Sequence, residues 1–181
     1  MTDNATLKSK DETPRYFWTR FPTERQPTPR GEELAALRRG MGRLPGSVPE
    51  MWPYYVHLSQ DGRIRRKLVA EHIALSLFGL HQQSQQSLVH APGRRIGQAL
   101  ADLRGSGKFS QEAVDSRVTR AATTDDMDEL AYHLRGLISQ LKSTKGRNTL
   151  DYTLLVRALT DWQTPGGRDR VRREWGRDYY R

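Results

Sequence analysis

The 181-residue sequence has no cysteine, which excludes disulfide frameworks and thiolate metal sites outright. It has no uninterrupted apolar run approaching the ~20 residues needed to span a bilayer. The opening stretch MTDNATLKSKDETPRYFW mixes charges and lacks the apolar segment of a signal peptide. Secretion and membrane insertion are therefore not expected, and a cytoplasmic location is the simplest reading. Nowhere do Val, Ile, Thr and aromatic residues alternate over a strand length between turn signals, so no sheet is expected either.

Lysine is scarce as well. Of 30 Lys and Arg residues, the lysines are only Lys8, Lys10, Lys67, Lys108, Lys142 and Lys145, so arginine carries most of a formal charge of +9 and a pI near 10.2. A surplus of that sign points to an anionic partner, and the planar guanidinium suits phosphate recognition and stacking on bases. Codon usage rich in G and C also favours arginine, and is the bland alternative.

Hydrophobic residues make up 35% of the chain and are concentrated in stretches such as Leu68 to Leu80, enough for one domain or two small bundles. Residues 1–30 are first polar and then carry Pro14, Pro22, Pro27 and Pro29. They predict a flexible N-terminal arm with at most one aromatic anchor at Tyr16-Phe17-Trp18. From Gly31 acids precede Leu34 and Leu37, and Arg38-Arg39-Gly40 follow, the charge order of a short helix. Pro49 to Leu58, with Trp52, Tyr55 and Val56, reads as a second, its aromatics entering the core. Ile64, Leu68, Ile73, Leu75, Leu77, Phe78 and Leu80 then recur at helical spacing and predict the buried centre of the N-terminal half. Further helices are expected over Arg94–Leu103, about Ser110–Ala121, Thr124–Leu141 and Leu150–Trp162. The expected fold is all-α, two packed helical bundles over 31–104 and 105–181, with no sheet.

Catalytic signals fail on inspection. Gly105-Ser106-Gly107-Lys108 suggests a phosphate loop, but the pattern needs glycine where Asp102 stands, Ser or Thr where Phe109 stands, and a preceding strand. The five histidines, at 57, 72, 81, 90 and 133, show no HExxH spacing. His72 and His133 lie in apolar helical patterns, whereas His81 and His90 flank a polar loop. Asp125-Asp126 and Asp128-Glu129 read better as the acidic first turn of a helix than as a metal site. No metal and no cofactor is expected.

The basic clusters are more informative: Arg38-Arg39 with Arg43, Arg63-Arg65-Arg66-Lys67, Arg94-Arg95, and Lys142-Lys145-Arg147 sit at helix ends or turns. From Arg168 to Arg181, six arginines face three acids and interleave with Trp175, Tyr179 and Tyr180. Such a mixture suits a single strand, phosphates on guanidinium groups and bases on π faces. The alternative is an amphipathic helix with Val171, Trp175 and Tyr179 packed inward, which is favoured for the aromatics and leaves the arginines open.

Over residues 31–181 the chain resembles the CasB family, the small subunit of the type I-E CRISPR Cascade complex. The resemblance is carried by Leu34-Ala35-Ala36-Leu37-Arg38-Arg39-Gly40 followed by Trp52, by Leu77-Phe78-Gly79-Leu80-His81-Gln82-Gln83-Ser84, and by Gly93-Arg94-Arg95-Ile96-Gly97-Gln98-Ala99-Leu100. It continues in His133-Leu134-Arg135-Gly136-Leu137-Ile138, in Leu150-Asp151-Tyr152 with Trp162, and in Trp175-Gly176-Arg177-Asp178-Tyr179-Tyr180-Arg181. Each piece is weak alone; their order and spacing are not. The resemblance implies a non-enzymatic, wholly helical subunit present as two copies beside other Cascade subunits and their crRNA, where it holds the target and displaced DNA strands of the R-loop. Carried over, the nucleic-acid-binding candidates are Arg38, Arg39 and Arg43, Arg94 and Arg95, Lys108, Arg117 and Arg120, and Arg135 with Lys142. The family often has a basic residue where Gln98 stands, so that position has no DNA role here or is compensated by Arg94 or Arg95. The arm at 1–30 has no counterpart. Two rivals remain: a stand-alone helical DNA-binding regulator, whose groove-reading helix is not evident, and a small metal-dependent nuclease using the acids at Asp125–Glu129.

Overall fold

The structure, a computed structural model, describes residues 15–22, 28–146 and 148–181. Seven α-helices follow one another among them: α1 Gly31–Arg39, α2 Arg66–Gln82, α3 Ile96–Gly105, α4 Gln111–Thr123, α5 Met127–Lys142, α6 Tyr152–Trp162 and α7 Pro165–Tyr179. Two short 3-10 turns, Phe17–Arg20 and Pro49–Tyr54, complete the regular structure. The described residues hold no strand, only one isolated bridge between His90 and Leu150, and the all-α expectation is met.

Helix α2 is the axis of the fold because it is apolar on nearly every side, the pattern of a helix buried all round rather than of one with a wet face. Thirteen of its 17 residues are buried, and it packs against α1, α5 and α6. Gly79 permits the α1 contact: a Cβ there would stand 2.8 Å from the Leu37 Cβ and 3.1 Å from the Leu34 carbonyl oxygen. Helix α3 crosses α7 by the same device at Gly97, where a Cβ would meet the Asp178 Cβ at 2.8 Å.

Helix starts follow the local sequence. Side chains of Ser110, Asp126, Asp151 and Thr164 accept the first free backbone N–H groups of α4 to α7, satisfying donors that have no intrahelical partner. Asp126 therefore serves as a cap, as its position in the sequence suggested. In α7, Val171, Trp175 and Tyr179 recur every four residues and are all buried, with the Trp175 ring 5.1 Å from that of Trp162. The inward-packing reading of those aromatics is correct.

Two local expectations are corrected. The Pro49–Leu58 segment does not form an α-helix: Pro53 lies inside it, and a missing N–H donor restricts the chain to a short 3-10 turn. Met51 rather than Trp52 turns inward; Trp52 is 52% exposed and Val56 is exposed too, the indole of Trp52 donating to the Gly46 carbonyl at 2.8 Å. His81 and His90 do flank the polar loop, and both are buried. The loop folds back on the core, and the Tyr152 hydroxyl and His81 Nδ1 pair at 2.9 Å.

Of the expected arm, residues 1–14 and 23–27 lie outside the described residues. Tyr16, Phe17 and Trp18 belong to the core itself. That single cluster of buried apolar side chains takes in all seven helices. A division into bundles of 31–104 and 105–181 is thus a proposal about folding units, since α5 and α6 pack on α2 and α7 packs on α3.

Candidate nucleic-acid interface

The apolar residues Leu130, Leu134, Leu137, Ile138 and Leu141 bury one face of α5. Asp128, Tyr132, Arg135, Ser139 and Lys142, spaced by four and three, share another face of the helix. Arg135 faces the end of α1, where Ala35, Arg38, Arg39, Met41 and Leu80 complete the lining of an open groove. No carboxylate among the described residues lines it. The Arg38 Nε is buried and has no hydrogen-bond partner among the described residues. Burial, and after it the nearby Arg38 guanidinium, lower the pKa of the Lys142 ammonium. Cations held together without an acid between them form a site short of negative charge.

The structure brings Arg38, Arg39, Arg135 and Lys142 together, and places Arg43 beside them on an adjoining groove. Among the described residues Arg38, Arg43, Arg135 and Lys142 have no ion pair, whereas Arg39 reaches Glu50 at 2.6 Å. Both Arg39 and Glu50 are largely exposed, and such a pair exchanges readily with solvent or ligand.

The other candidates lie elsewhere. Arg94 binds Asp102 and donates to the Thr149 carbonyl at 2.7 Å, and Arg95 reaches the buried Asp178 carboxylate at 3.3 Å. They tie the start of α3 to the 149–151 turn and to α7. Gln98 accepts from the Arg95 backbone N–H at 3.0 Å, a capping task that accounts for a neutral side chain there. Lys108 donates to the Ser143 carbonyl at 2.5 Å. Arg117 and Arg120 are exposed on α4, Arg117 reaching towards Gly136 of α5.

The open question about the C-terminal arginines is largely answered by their partners. Arg168 and Arg172 share the Asp125 carboxylate, Arg170 holds Asp161 and Arg177 holds Asp178. Arg172 also donates to the carbonyls of Ala122, Thr123 and Thr124. Asp125 is thereby held below the usual carboxylate range, chiefly by its bond to Arg172. The described residues contain no group of three His, Cys, Asp or Glu side chains arranged to hold a metal. Arg147 lies outside the described residues.

What the sequence reading passed over is Tyr132. Its ring is 72% exposed and lines a second groove, about 470 Å³, with Met41, Leu44, Ile64, His72 and Arg135. The signal was present: an aromatic residue in the otherwise polar stripe of α5.

An all-helical protein with a cationic groove between two of its helices, and no helix among the described residues long and apolar enough to cross a membrane, is the class these features define. The family model for CRISPR-associated protein Cse2 matches residues 33–180, and the chain belongs to that family. Two solved structures are similar. CasB from Thermobifida fusca is 29% identical with a TM-score of 0.64, covering 83% of this chain and 85% of its own. A Cse2-family CRISPR-associated protein from Thermus thermophilus is 25% identical with a TM-score of 0.62, covering 82% and 85%. No curated protein matched the sequence. Family membership supports a CRISPR-associated Cascade subunit with other Cascade subunits as its partners.

Proposed function

We propose that this chain is the non-catalytic small subunit of a type I-E Cascade, working in the cytoplasm without a cofactor and holding nucleic-acid strands by their phosphates to stabilise the R-loop. The observation that carries this reading is the α1–α5 groove, where Arg38 and Arg135, with Lys142 close to Arg38, have no carboxylate partner among the described residues. Phosphate oxygens supply the missing charge, and guanidinium groups donate to them without regard to sequence. Exchanging a DNA duplex for an RNA–DNA heteroduplex is nearly balanced in free energy, so a few backbone contacts shift it. Target and displaced DNA strands, the crRNA and a second copy of the chain are the proposed neighbours. Arg43, Arg117 and Arg120 extend the proposed surface; Arg94, Arg95 and Lys108 would share phosphate with the protein contacts they make now.

The test is binding of the purified chain to single-stranded, duplex and bubble DNA of unrelated sequences across a salt series, with and without a Cascade lacking this subunit. Sequence-tolerant binding and restored R-loop stability are expected. Arg38→Ala with Arg39→Ala should weaken binding equally across sequences and reduce the salt slope by about 0.7 per lost single-strand phosphate contact. One preferred duplex sequence and no effect on Cascade would assign the chain to a stand-alone regulator instead.

A further inference from the structure

Met41 and Arg135 line both the cationic groove and the second groove beside it, so the two are continuous. Their linings differ in kind. The second is mostly apolar, its mouth carrying Leu44, Ile64 and Tyr132, all more than half exposed. Exposed apolar side chains gathered round a concavity mark a binding surface rather than scattered surface chemistry. The one acid lining it among the described residues, Asp128, stands about two turns before Arg135 on α5. Ser76 lines this groove, is only 3% exposed, and its hydroxyl has no hydrogen-bond partner among the described residues.

We infer that the second groove receives an unpaired nucleobase of the strand whose phosphates lie on the first, the base stacking on Tyr132 while Arg135 holds the adjoining phosphate. The inference rests on the phosphate-binding reading above and adds to it a ligand class, single-stranded or extruded nucleotides. Tyr132 and Arg135 share one face of α5 about 4.5 Å apart along its axis, so one nucleotide can span both. At about 470 Å³ the groove falls in the range of small-molecule sites and has room for a base with its sugar. A cationic rim beside an apolar floor complements a nucleotide, anionic at the phosphate and flat and apolar on the base faces. Such stacking tolerates any sequence because every base has a π face. A base paired within a duplex cannot enter.

Fluorescence anisotropy on the full chain separates base from phosphate, using an intact single strand and the same strand with abasic sites, which keeps every phosphate. The wild type should bind the intact strand about tenfold more tightly, within the range for one base–aromatic stack. Tyr132→Ala should bind both as the wild type binds the abasic strand, and Tyr132→Phe should keep the preference. Circular dichroism confirms folding, which an exposed side chain does not control. Equal wild-type binding of both strands, steep in salt, overturns the base site and leaves the phosphate reading standing. No binding to either strand removes both. A preference that survives Tyr132→Ala also overturns the inference, as does a Tyr132→Ala variant that keeps the preference but fails to enter Cascade, which would give the groove to a neighbouring protein.

Discussion

The indole Nε1 of Trp18 donates to Thr153 Oγ1 at 3.0 Å, joining residues 135 apart in the chain. Trp18 is fully buried, stacked on Tyr16 at 5.2 Å and packed against Phe78 and Tyr152. The contact pins the segment before α1 to the start of α6.

Trp18→Ala therefore removes a large core side chain and should cost about 3–5 kcal/mol, read as a lower denaturant midpoint in urea unfolding. Thr153→Val leaves the indole N–H unpaired and should cost about 1 kcal/mol. A Trp18→Ala variant as stable as the wild type would show that the segment is not part of the folding unit.

The sequence marks Tyr16-Phe17-Trp18 as an aromatic anchor but does not show that it enters the core. Four prolines in residues 1–30 report the local backbone and say nothing about whether a three-residue aromatic cluster finds a cavity elsewhere. The helices were legible because periodicity is local: α3 to α6 differ from expectation mainly at their ends. Trp52 failed because Pro53 changes the helical period, which reverses the inward and outward faces. In the candidate site, residue type was legible but partnership was not. Arg38 and Arg172 look alike in sequence, and only the tertiary fold gives Asp125 to Arg172 and leaves Arg38 without an acid among the described residues.

That difference has a consequence. Arg172 satisfies three carbonyls at the end of α4 and its following turn, and lies over the Trp162 ring at 5.3 Å. Arg172→Ala should lower stability by about 2 kcal/mol through those carbonyl bonds while leaving the salt slope of DNA binding unchanged. Arg38→Ala with Arg39→Ala should show the reverse pattern. Both are read from urea unfolding paired with a salt titration; an Arg172→Ala change that flattens the salt slope would place α7 in the interface.

Gly79 and Gly97 lie in stretches that carry the family resemblance, and the structure supplies the reason: each lies where another helix presses against it. Alanine at either position forces the helices apart and should cost about 1–3 kcal/mol, the usual cost of overpacking. Gly176, with nothing near its would-be Cβ, is the control and should tolerate alanine. Melting temperatures of the three variants check the contrast.

Acid should destabilise the protein before its carboxylates titrate. Burial lowers the pKa of His81 from 6.5 to about 3, and those of His72 and His90 in the same direction. These histidines stay neutral in the fold but take protons in the unfolded chain, so stability is full above pH 6.5 and falls as pH drops towards the folded values. Urea unfolding at pH 7.5, 6 and 5 should show a steady decline, and His81→Leu should flatten it. No decline over that range would mean that these histidines take up protons as readily in the fold as in the unfolded chain.

The acids at the start of α5 decide between a scaffold and a nuclease. The Asp126 side chain accepts from the Glu129 backbone N–H at 2.8 Å, and Glu129 accepts from the Thr124 hydroxyl at 2.6 Å, so one oxygen of each carboxylate serves the helix start. Asp125 is shared by Arg168 and Arg172, and two guanidinium groups on one carboxylate compete with any cation. Asp126→Ala should then cost about 1 kcal/mol, as loss of a helix cap does, with nucleic-acid binding intact. Incubation of the wild type with labelled single- and double-stranded DNA in Mg²⁺ or Mn²⁺ should give no cleavage above background. Metal-dependent cleavage that disappears in Asp126→Ala and in Asp128→Ala would overturn the non-catalytic reading, because a cap residue has no reason to govern bond breaking.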